Sequence, residues 1–394
     1  MNAIEPDIPI KTIDMAQVRI LIMHLVSNGD CLYATAIARQ IKKDNPGCHL
    51  TWLISKKCSS VLINNPHVDE LVEVEVGSIW DAGAEGWHRI KAEMVQSGFF
   101  KTFNQIYFTQ FFPENIHHFD GTIRSTLFRS YTGGKVDEVT PELRLTRQEE
   151  TNAEAFANRH GLSGFNKVVL FECSPGSSQS FVNPEIALGI AHKMVSEYPD
   201  MMVVLSSHLS FETNHPRILL ANTISFRENA RLANYCDLLI GCSSGITWLC
   251  TSSAVRRDLP MIQLLSKSKG ISFASVAYDL QHWGLEGNRV VEIFENDQTL
   301  ILSAVRTFFT EGIKSCKLKF HEAIKPNPFH LTTYFNMLAK RGRIVNALGL
   351  FNNFIDRNGW SFQLVMAIPY ILLQGLFRVP LVLFRKMAGS PVQL

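Results

Sequence analysis

The chain has 394 residues, of which 46% are hydrophobic and 19% are charged, and its formal net charge is +2. This composition excludes an intrinsically disordered chain, and the small net charge excludes the strong positive field that would attract nucleic acid. The length is sufficient for two domains of ordinary size and an extension.

The first predicted element is an apolar strand over residues 20–26, which passes through a small polar turn directly into a helix. The turn, Ser27-Asn28-Gly29-Asp30, should lie at the carboxyl edge of a sheet, where open α/β proteins bind ligands. Asp30 is therefore a candidate for chemistry, and the alternative is that it caps the helix. His24 lies inside the strand and is predicted to be a core residue.

Short strands alternate with helical stretches up to residue 108, which predicts a parallel sheet with right-handed crossovers. A polar helical run over residues 147–160 precedes a fresh strand at 167–171 and indicates a second series of the same kind. We therefore predict a first α/β domain over 17–150 and a second over 151–310. His117 and His118 lack a third ligand at metal spacing, so we predict no metal site there.

Two small polar loops follow strands of the second predicted domain, at the junctions that lead into helices. The residues that we single out in them are Ser177, Ser178, Gln179, Ser180, Ser243, Ser244, Gly245 and Thr247. Gly, Ser and Thr at the start of a helix let a phosphate approach the backbone N–H groups. Neither loop matches a P-loop or a G-x-G-x-x-G fingerprint. Together they predict a cleft that binds a diphosphate opposite Asp30.

Ser225 and Glu228 have capping-box spacing just before a predicted helix, and Arg227 lies between them. Arg227 and Glu228 could contact the ribose or base of a nucleotide, and the alternative is a helix cap with surface charge. We include Glu228 among the candidate donor-binding residues.

Two stretches resemble the heptosyltransferase-type glycosyltransferases of glycosyltransferase family 9. They are ILIMHLVSNGDCLYATAIA from residue 20, with the Pro46-Gly47 helix stop and Trp52 after it, and LLIGCSSGITWL from residue 238. The resemblance covers roughly residues 17–305 and implies the GT-B fold, in which two Rossmann-like domains face each other across a cleft.

The resemblance implies transfer of a sugar from a nucleotide-diphosphate sugar to an acceptor hydroxyl, with inversion and without a metal or other cofactor. By the family pattern, Asp30 is the catalytic base, and Ser27, Asn28 and Gly29 lie on the acceptor side. The acceptor would be a bacterial surface glycan or a lipid-linked glycan of the lipopolysaccharide or capsule type.

The chain departs from the family pattern at two positions of the second motif. Ser243 stands where the family has an aspartate, and Trp248 stands where it has a histidine. Two alternatives therefore remain open: a non-catalytic membrane-associated protein that kept the fold, and a nucleotide-sugar epimerase.

Residues 311–394 form a predicted helical extension. The stretch from residue 359 to 377, GWSFQLVMAIPYILLQGLF, carries no charge and has basic residues on both sides. It could lie in a membrane interface, span the membrane or pack on the protein. We favour peripheral association with the cytosolic face of the inner membrane.

A cytoplasmic location is also expected from the cysteines and the first residues of the chain. The eight cysteines contain no C-x-x-C pair and lie mostly in apolar segments, which favours free thiols in a reducing compartment. Residues 1–14 include acids and a proline without an apolar core, which is not the pattern of a secretory signal.

Overall fold

The computed structural model describes residues 17–76, 85–177, 179–267, 275–324 and 326–370. The predicted donor-binding residue Ser178 lies outside the described residues. So does the apolar tract beyond residue 370, including its basic residues Arg378, Arg385 and Lys386.

The first α/β unit contains a four-stranded parallel sheet in the order β3-β2-β1-β4. The two central strands, β1 and β2, are buried along almost their whole length, as expected for parallel strands, whereas the edge strands β3 and β4 are partly exposed. The elements of this unit are β1 (Arg19–Met23), α1 (Asn28–Asp44), β2 (His49–Ser55), β3 (Glu70–Val74), α2 (Trp87–Gln96), β4 (Gln105–Phe108) and α3 (Ile123–Phe128). His24, just after β1, is fully buried.

The second unit contains a six-stranded parallel sheet in the order β10-β9-β8-β5-β6-β7. A capping box at Thr146 and Glu149 begins the helix that leads into it. The elements are α4 (Arg147–Arg159), β5 (Lys167–Glu172), α5 (Pro184–Glu197), β6 (Met201–Ser206), β7 (Ile218–Leu220), α6 (Glu228–Ala233), β8 (Leu238–Gly241), α7 (Gly245–Leu249), β9 (Met261–Leu264), α8 (Val276–His282) and β10 (Val290–Ile293). The predicted pair of parallel α/β units is confirmed.

The two units share an apolar core and a buried polar junction. One cluster of buried side chains contains residues of both sheets, such as Ile22 and Leu170. At the junction, Arg227 of the second unit is 2% exposed and donates two hydrogen bonds to the carboxylate of Glu149, at 2.6 and 2.9 Å. Its guanidinium also donates to the backbone carbonyls of Ser60 in the first unit and Arg144 in the connecting segment. Arg227 therefore joins both units and the segment between them.

The helices after β10 pack in two different places. Helices α9 (Gln298–Glu311) and α10 (Ile313–Phe320) cover the second sheet, and Cys316 of α10 is buried in its core. Helices α11 (His330–Lys340) and α12 (Ile344–Asn358) return to the first unit and pack on Ile116 and Phe119. Among the described residues, none of the helices combines the length and the apolar character that crossing a membrane requires.

Candidate functional site

A cavity of about 1010 Å³ lies between the two sheets, at the carboxyl ends of β1, β5, β6 and β8. Its wall from the first unit includes Val26, Ser27, Asn28, Gly29, Asp30, Tyr33, Gln110, Phe111, Phe112, Thr122 and Ile123. Its wall from the second unit includes Glu172, Ser174, Gly176, Ser177, Gln179, Ser206, Ser207, His208, Ser225, Asn229, Ser243, Ser244, Gly245, Trp248 and Asp279. The structure thus brings Asp30 and residues of both predicted loops to one cavity.

Asp30 is the third residue of α1 and not its cap. The helix begins at Asn28, and Ser27 occupies the capping position with φ 76° and ψ 106°. Such a positive φ is costly for a residue other than glycine and occurs mostly where surrounding structure enforces it. The helix-cap interpretation of Asp30 is wrong because the helix starts two residues before it.

The environment of Asp30 favours a protonated carboxyl more than water does. Burial raises the pKa of Asp30 to about 7, although hydrogen bonding from the Ser27 side chain favours the ionised form. A carboxylate with a pKa near neutrality can accept a proton during a reaction and release it afterwards. With this pKa, the Asp30 carboxyl is partly ionised at neutral pH.

The loop after β8 is fixed by hydrogen bonds to Glu172, the last residue of β5. Its carboxylate accepts hydrogen bonds from the backbone N–H groups of Cys242, at 2.9 Å, and Ile246, at 3.2 Å, and from the Thr247 hydroxyl, at 3.0 Å. Burial raises the pKa of this carboxyl. Several donors of this loop that could face a phosphate are thus already bound to Glu172. The sequence analysis did not single out Glu172, although it ends a buried strand.

The two polar loops of the second unit are bonded to each other at the cavity wall. The Ser243 hydroxyl donates to the Gln179 side-chain carbonyl at 3.0 Å, and the Gly176 backbone N–H donates to the Ser244 hydroxyl at 3.2 Å. Ser243 has a φ of 48°, in the left-handed region. The loops therefore present Ser177, Gln179, Ser243 and Ser244 as one surface opposite Asp30.

Three predicted donor-binding residues lie outside the cavity lining. The Ser180 hydroxyl donates to the Leu264 carbonyl, and Thr247 is fully buried between Glu172 and Gln263. The Glu228 carboxylate accepts from the Ser225 backbone N–H at 2.6 Å and from Asn152 at 2.8 Å. For Glu228, the geometry is the helix cap of the alternative, but the side chain is buried and is not the surface charge that the alternative also expected.

Asp279 and Tyr33 also line the cavity, and the sequence analysis singled out neither of them. Asp279 forms an ion pair with the fully buried Arg124, with 3.1 Å between Nη2 and Oδ2. The Arg124 guanidinium also lies over the Tyr33 ring, 4.1 Å from its centroid. Arg124 and Asp279 come from different units and are more than 150 positions apart, so no local pattern indicates their pairing.

The remaining histidines that the sequence analysis considered are His24 and the consecutive pair His117 and His118. Thr109 hydrogen-bonds to Nδ1 of His24 at 3.0 Å, and burial lowers the pKa of His24 to about 3, so that it is neutral. The rings of His117 and His118 lie against each other with their centroids 3.9 Å apart and their planes tilted by 38°. Within the described part of the chain, no three His, Cys, Asp or Glu side chains are grouped as metal ligands would be.

Trp248 connects the two walls of the cavity near Asp30. Its ring meets that of Tyr33 edge to face, with centroids 5.1 Å apart. A Cβ atom added at Gly29 would lie 2.9 Å from Cδ1 of Trp248, closer than such contacts occur. The tryptophan therefore fills the space in front of Gly29, and only glycine fits opposite it.

We expect Gly29→Ala to lower the free energy of unfolding by about 1–3 kcal/mol, because the new methyl group overpacks the contact with Trp248. Denaturant unfolding of Gly29→Ala, of Trp248→Ala and of the double variant measures this effect. Loss of the indole ring leaves only Cβ of residue 248 near the new methyl group, at an ordinary contact distance, and should remove most of the penalty of the alanine. An equal penalty of the alanine in both backgrounds would contradict the contact as its cause.

The charges around the cavity are mostly acidic. Asp30, Glu172 and Asp279 line it, whereas no lysine or arginine is among its lining residues in the described ranges. An anionic ligand there would be held through hydroxyls, amides and backbone N–H groups. Burial raises the pKa of all three carboxyls.

Comparisons with known proteins show the fold. No family model matches the sequence, and no curated protein matches it significantly. A glycosyl transferase family 9 structure from Veillonella parvula is similar over 75% of this chain and 91% of its own, with 16% identity and a TM-score of 0.51. At that identity it shows a shared fold, which confirms the predicted GT-B architecture.

Two further similar solved structures have TM-scores below 0.5. One is the ADP-heptose lps heptosyltransferase II of E. coli, with 14% identity over 63% of this chain and 85% of its own, and a TM-score of 0.45. The other is a putative UDP-N-acetylglucosamine 2-epimerase from Listeria monocytogenes, with 10% identity over 79% and 92%, and a TM-score of 0.47.

Proposed function

We propose that this protein is an inverting glycosyltransferase that moves a sugar from a nucleotide-diphosphate sugar to an acceptor hydroxyl, without a metal or other cofactor. The observation that carries the proposal is the position of Asp30, across one cavity from the bonded surface of Ser177, Gln179, Ser243 and Ser244. The shared fold with a glycosyl transferase family 9 structure supports it.

In the proposed reaction, Asp30 removes the proton from the acceptor hydroxyl as its oxygen attacks the anomeric carbon. The bond from that carbon to the diphosphate oxygen breaks at the same time, so the configuration inverts. The proton ends on the Asp30 carboxyl, and the negative charge ends on the nucleoside diphosphate. Ser177 and Ser244 would then stabilise the departing diphosphate through hydrogen bonds.

The proposed acceptor is a bacterial surface glycan or a lipid-linked glycan of the lipopolysaccharide or capsule type. Beside the Ser27-Asn28-Gly29 turn, the cavity has an apolar side formed by Phe111, Phe112 and Ile123. This side suits an amphiphilic acceptor. We propose that the enzyme works in the cytoplasm, on the cytosolic face of the inner membrane.

A nucleoside diphosphate should stabilise the folded protein if the cavity binds the donor. At a concentration of about 100 times its Kd, we expect a gain of about 2.7 kcal/mol in the free energy of unfolding. Thermal-shift measurements with ADP, UDP, GDP and CDP test this, with the matching nucleosides as controls. Stabilisation by none of the diphosphates would contradict the proposal.

The main alternative is a protein that kept the fold and lost the reaction. Ser243 and Trp248 at the positions of family residues favour this alternative, as does the absence of cationic side chains among the described lining residues. Such a protein would show no stabilisation by any nucleotide. A nucleotide-sugar epimerase, the second alternative, would convert the donor with no acceptor present.

A further inference from the structure

The last two described helical stretches, and the link between them, carry large exposed apolar side chains. These side chains, which we name the C-terminal apolar face, are Val345, Leu348, Trp360, Phe362, Val365 and Met366. Each is at least half exposed, and Val345 reaches 82%. Exposed apolar side chains in such number on one part of a protein usually mark an interaction surface.

The inward sides of the same two helical stretches are firmly packed. Leu350 and Phe354 of α12 and Leu364 of the stretch 362–370 belong to one buried cluster, and each is at most 2% exposed. The outward side is apolar at the start of α12 and over much of the stretch 362–370, whereas the later part of α12 exposes Asn352 and Asp356. The C-terminal apolar face is held in place by this cluster.

A group of cations lies at the start of α12, beside Val345. Arg341 and Arg343 precede the helix, and their charges, with that of Lys91, add to burial in lowering the pKa of His88. One carboxylate, Glu114, pairs with Lys91 at 2.7 Å. The group thus keeps an excess of positive charge next to the apolar side chains.

We propose that the C-terminal apolar face and Arg341 and Arg343 dock on an anionic lipid surface. The apolar side chains enter the boundary between headgroups and acyl chains, and the guanidinium groups meet the phosphates. Trp360 has the amphipathic ring that is enriched at such boundaries. The sequence beyond residue 370 continues with apolar residues and with Arg378, Arg385 and Lys386, a composition that favours lipid over a protein partner.

The proposed lipid-binding surface adjoins the apolar side of the cavity. The Arg341 guanidinium lies over the Phe112 ring, 5.0 Å from its centroid, and Tyr334 of α11 contacts Phe111 edge to face at 5.8 Å. Phe111 and Phe112 both line the cavity. An acceptor anchored in the lipid would therefore reach the cavity beside these two rings, a role that rests on the proposed function.

Vesicle flotation of the full chain tests the docking. We expect binding to vesicles of phosphatidylglycerol and phosphatidylcholine, and at least about tenfold weaker binding of the double variant Val345→Ser/Leu348→Ser. The variant Arg341→Gln/Arg343→Gln should bind these vesicles about tenfold more weakly and should bind pure phosphatidylcholine like the wild type. The control is Leu318→Ser, which changes a residue of α10 that is 89% exposed and lies outside the face.

Circular dichroism and thermal unfolding establish that each variant folds like the wild type. Wild-type binding by the Val345/Leu348 variant, or an equal loss in the Leu318 control, would overturn the proposed face. Equal binding of the wild type to neutral and anionic vesicles would overturn the role of the two arginines. Nucleotide stabilisation in the same variants separates the two proposals, because it depends on the cavity and not on docking.

Discussion

Replacing Asp30 with asparagine is expected to lower turnover by about 10²–10⁴-fold, the usual contribution of a general base. Asparagine keeps the size of the side chain but cannot accept the hydroxyl proton. Nucleotide binding should change little, because the predicted diphosphate surface lies on the opposite wall of the cavity. Steady-state kinetics with the donor that stabilises the protein, together with nucleotide titration, measures both quantities.

The control for this variant is Asp258→Asn, which removes an exposed carboxylate outside the cavity lining and should leave turnover unchanged. Full activity of Asp30→Asn would reject Asp30 as the base. Loss of nucleotide binding along with turnover would instead indicate a role in holding the donor.

The raised pKa of Asp30 predicts opposite pH dependences for stability and for activity. The pKa of Asp30 is about 7 in the folded protein, against 3.8 for an unperturbed aspartate. Between these two pH values, the folded state therefore holds a proton that the unfolded state has released. The stability contributed by Asp30 therefore falls as pH rises from about 4 to 7, whereas the ionised base accumulates. We expect kcat/KM to rise towards a plateau above pH 7, while Asp30→Asn gains stability relative to the wild type over the same range.

Replacing Arg227 with methionine is expected to lower the free energy of unfolding by about 3–5 kcal/mol, because the change leaves Glu149 and three backbone carbonyls without their buried donor. The two hydrogen bonds to Glu149 and those to the Ser60, Val61 and Arg144 carbonyls are all lost together. Denaturant unfolding followed by circular dichroism measures the loss.

The chain offers a matched control one turn away on α6. Arg231 pairs with Glu154 of α4 at 2.7 Å, but both side chains are more than a third exposed. Arg231→Met should therefore cost less than about 1 kcal/mol. Similar losses in the two variants would show that burial at Arg227 is not what makes its interactions strong.

The alternating apolar segments were enough to predict the parallel arrangement and the strands other than the three-residue β7, because local periodicity and turn residues report on each βα unit separately. The polar turns at strand ends likewise indicated the correct edge of both sheets. Sequence composition could not show which side chains of a loop face outward. Thr247 and Ser180 are turned inward by partners, Glu172 and Leu264, that lie on other strands.

The residues missed by the sequence analysis illustrate the same limit. Asp279 and Arg124 form a buried pair only because α8 and α3 meet across the two units, and neither residue belongs to a recognisable motif. Trp248 was singled out as a departure from a family pattern. Its contact with Gly29 depends on the approach of the two units, which the sequence does not encode locally.

The position of Arg227 couples the unfolding of the two units. Arg227 bonds to both units and to the segment between them, so its hydrogen bonds break when either unit unfolds. The apolar cluster that contains residues of both sheets is disrupted in the same event. Partial unfolding of one unit therefore removes stabilisation from the other. In calorimetry, the two sheets should melt as a single cooperative transition, where independent domains would give two.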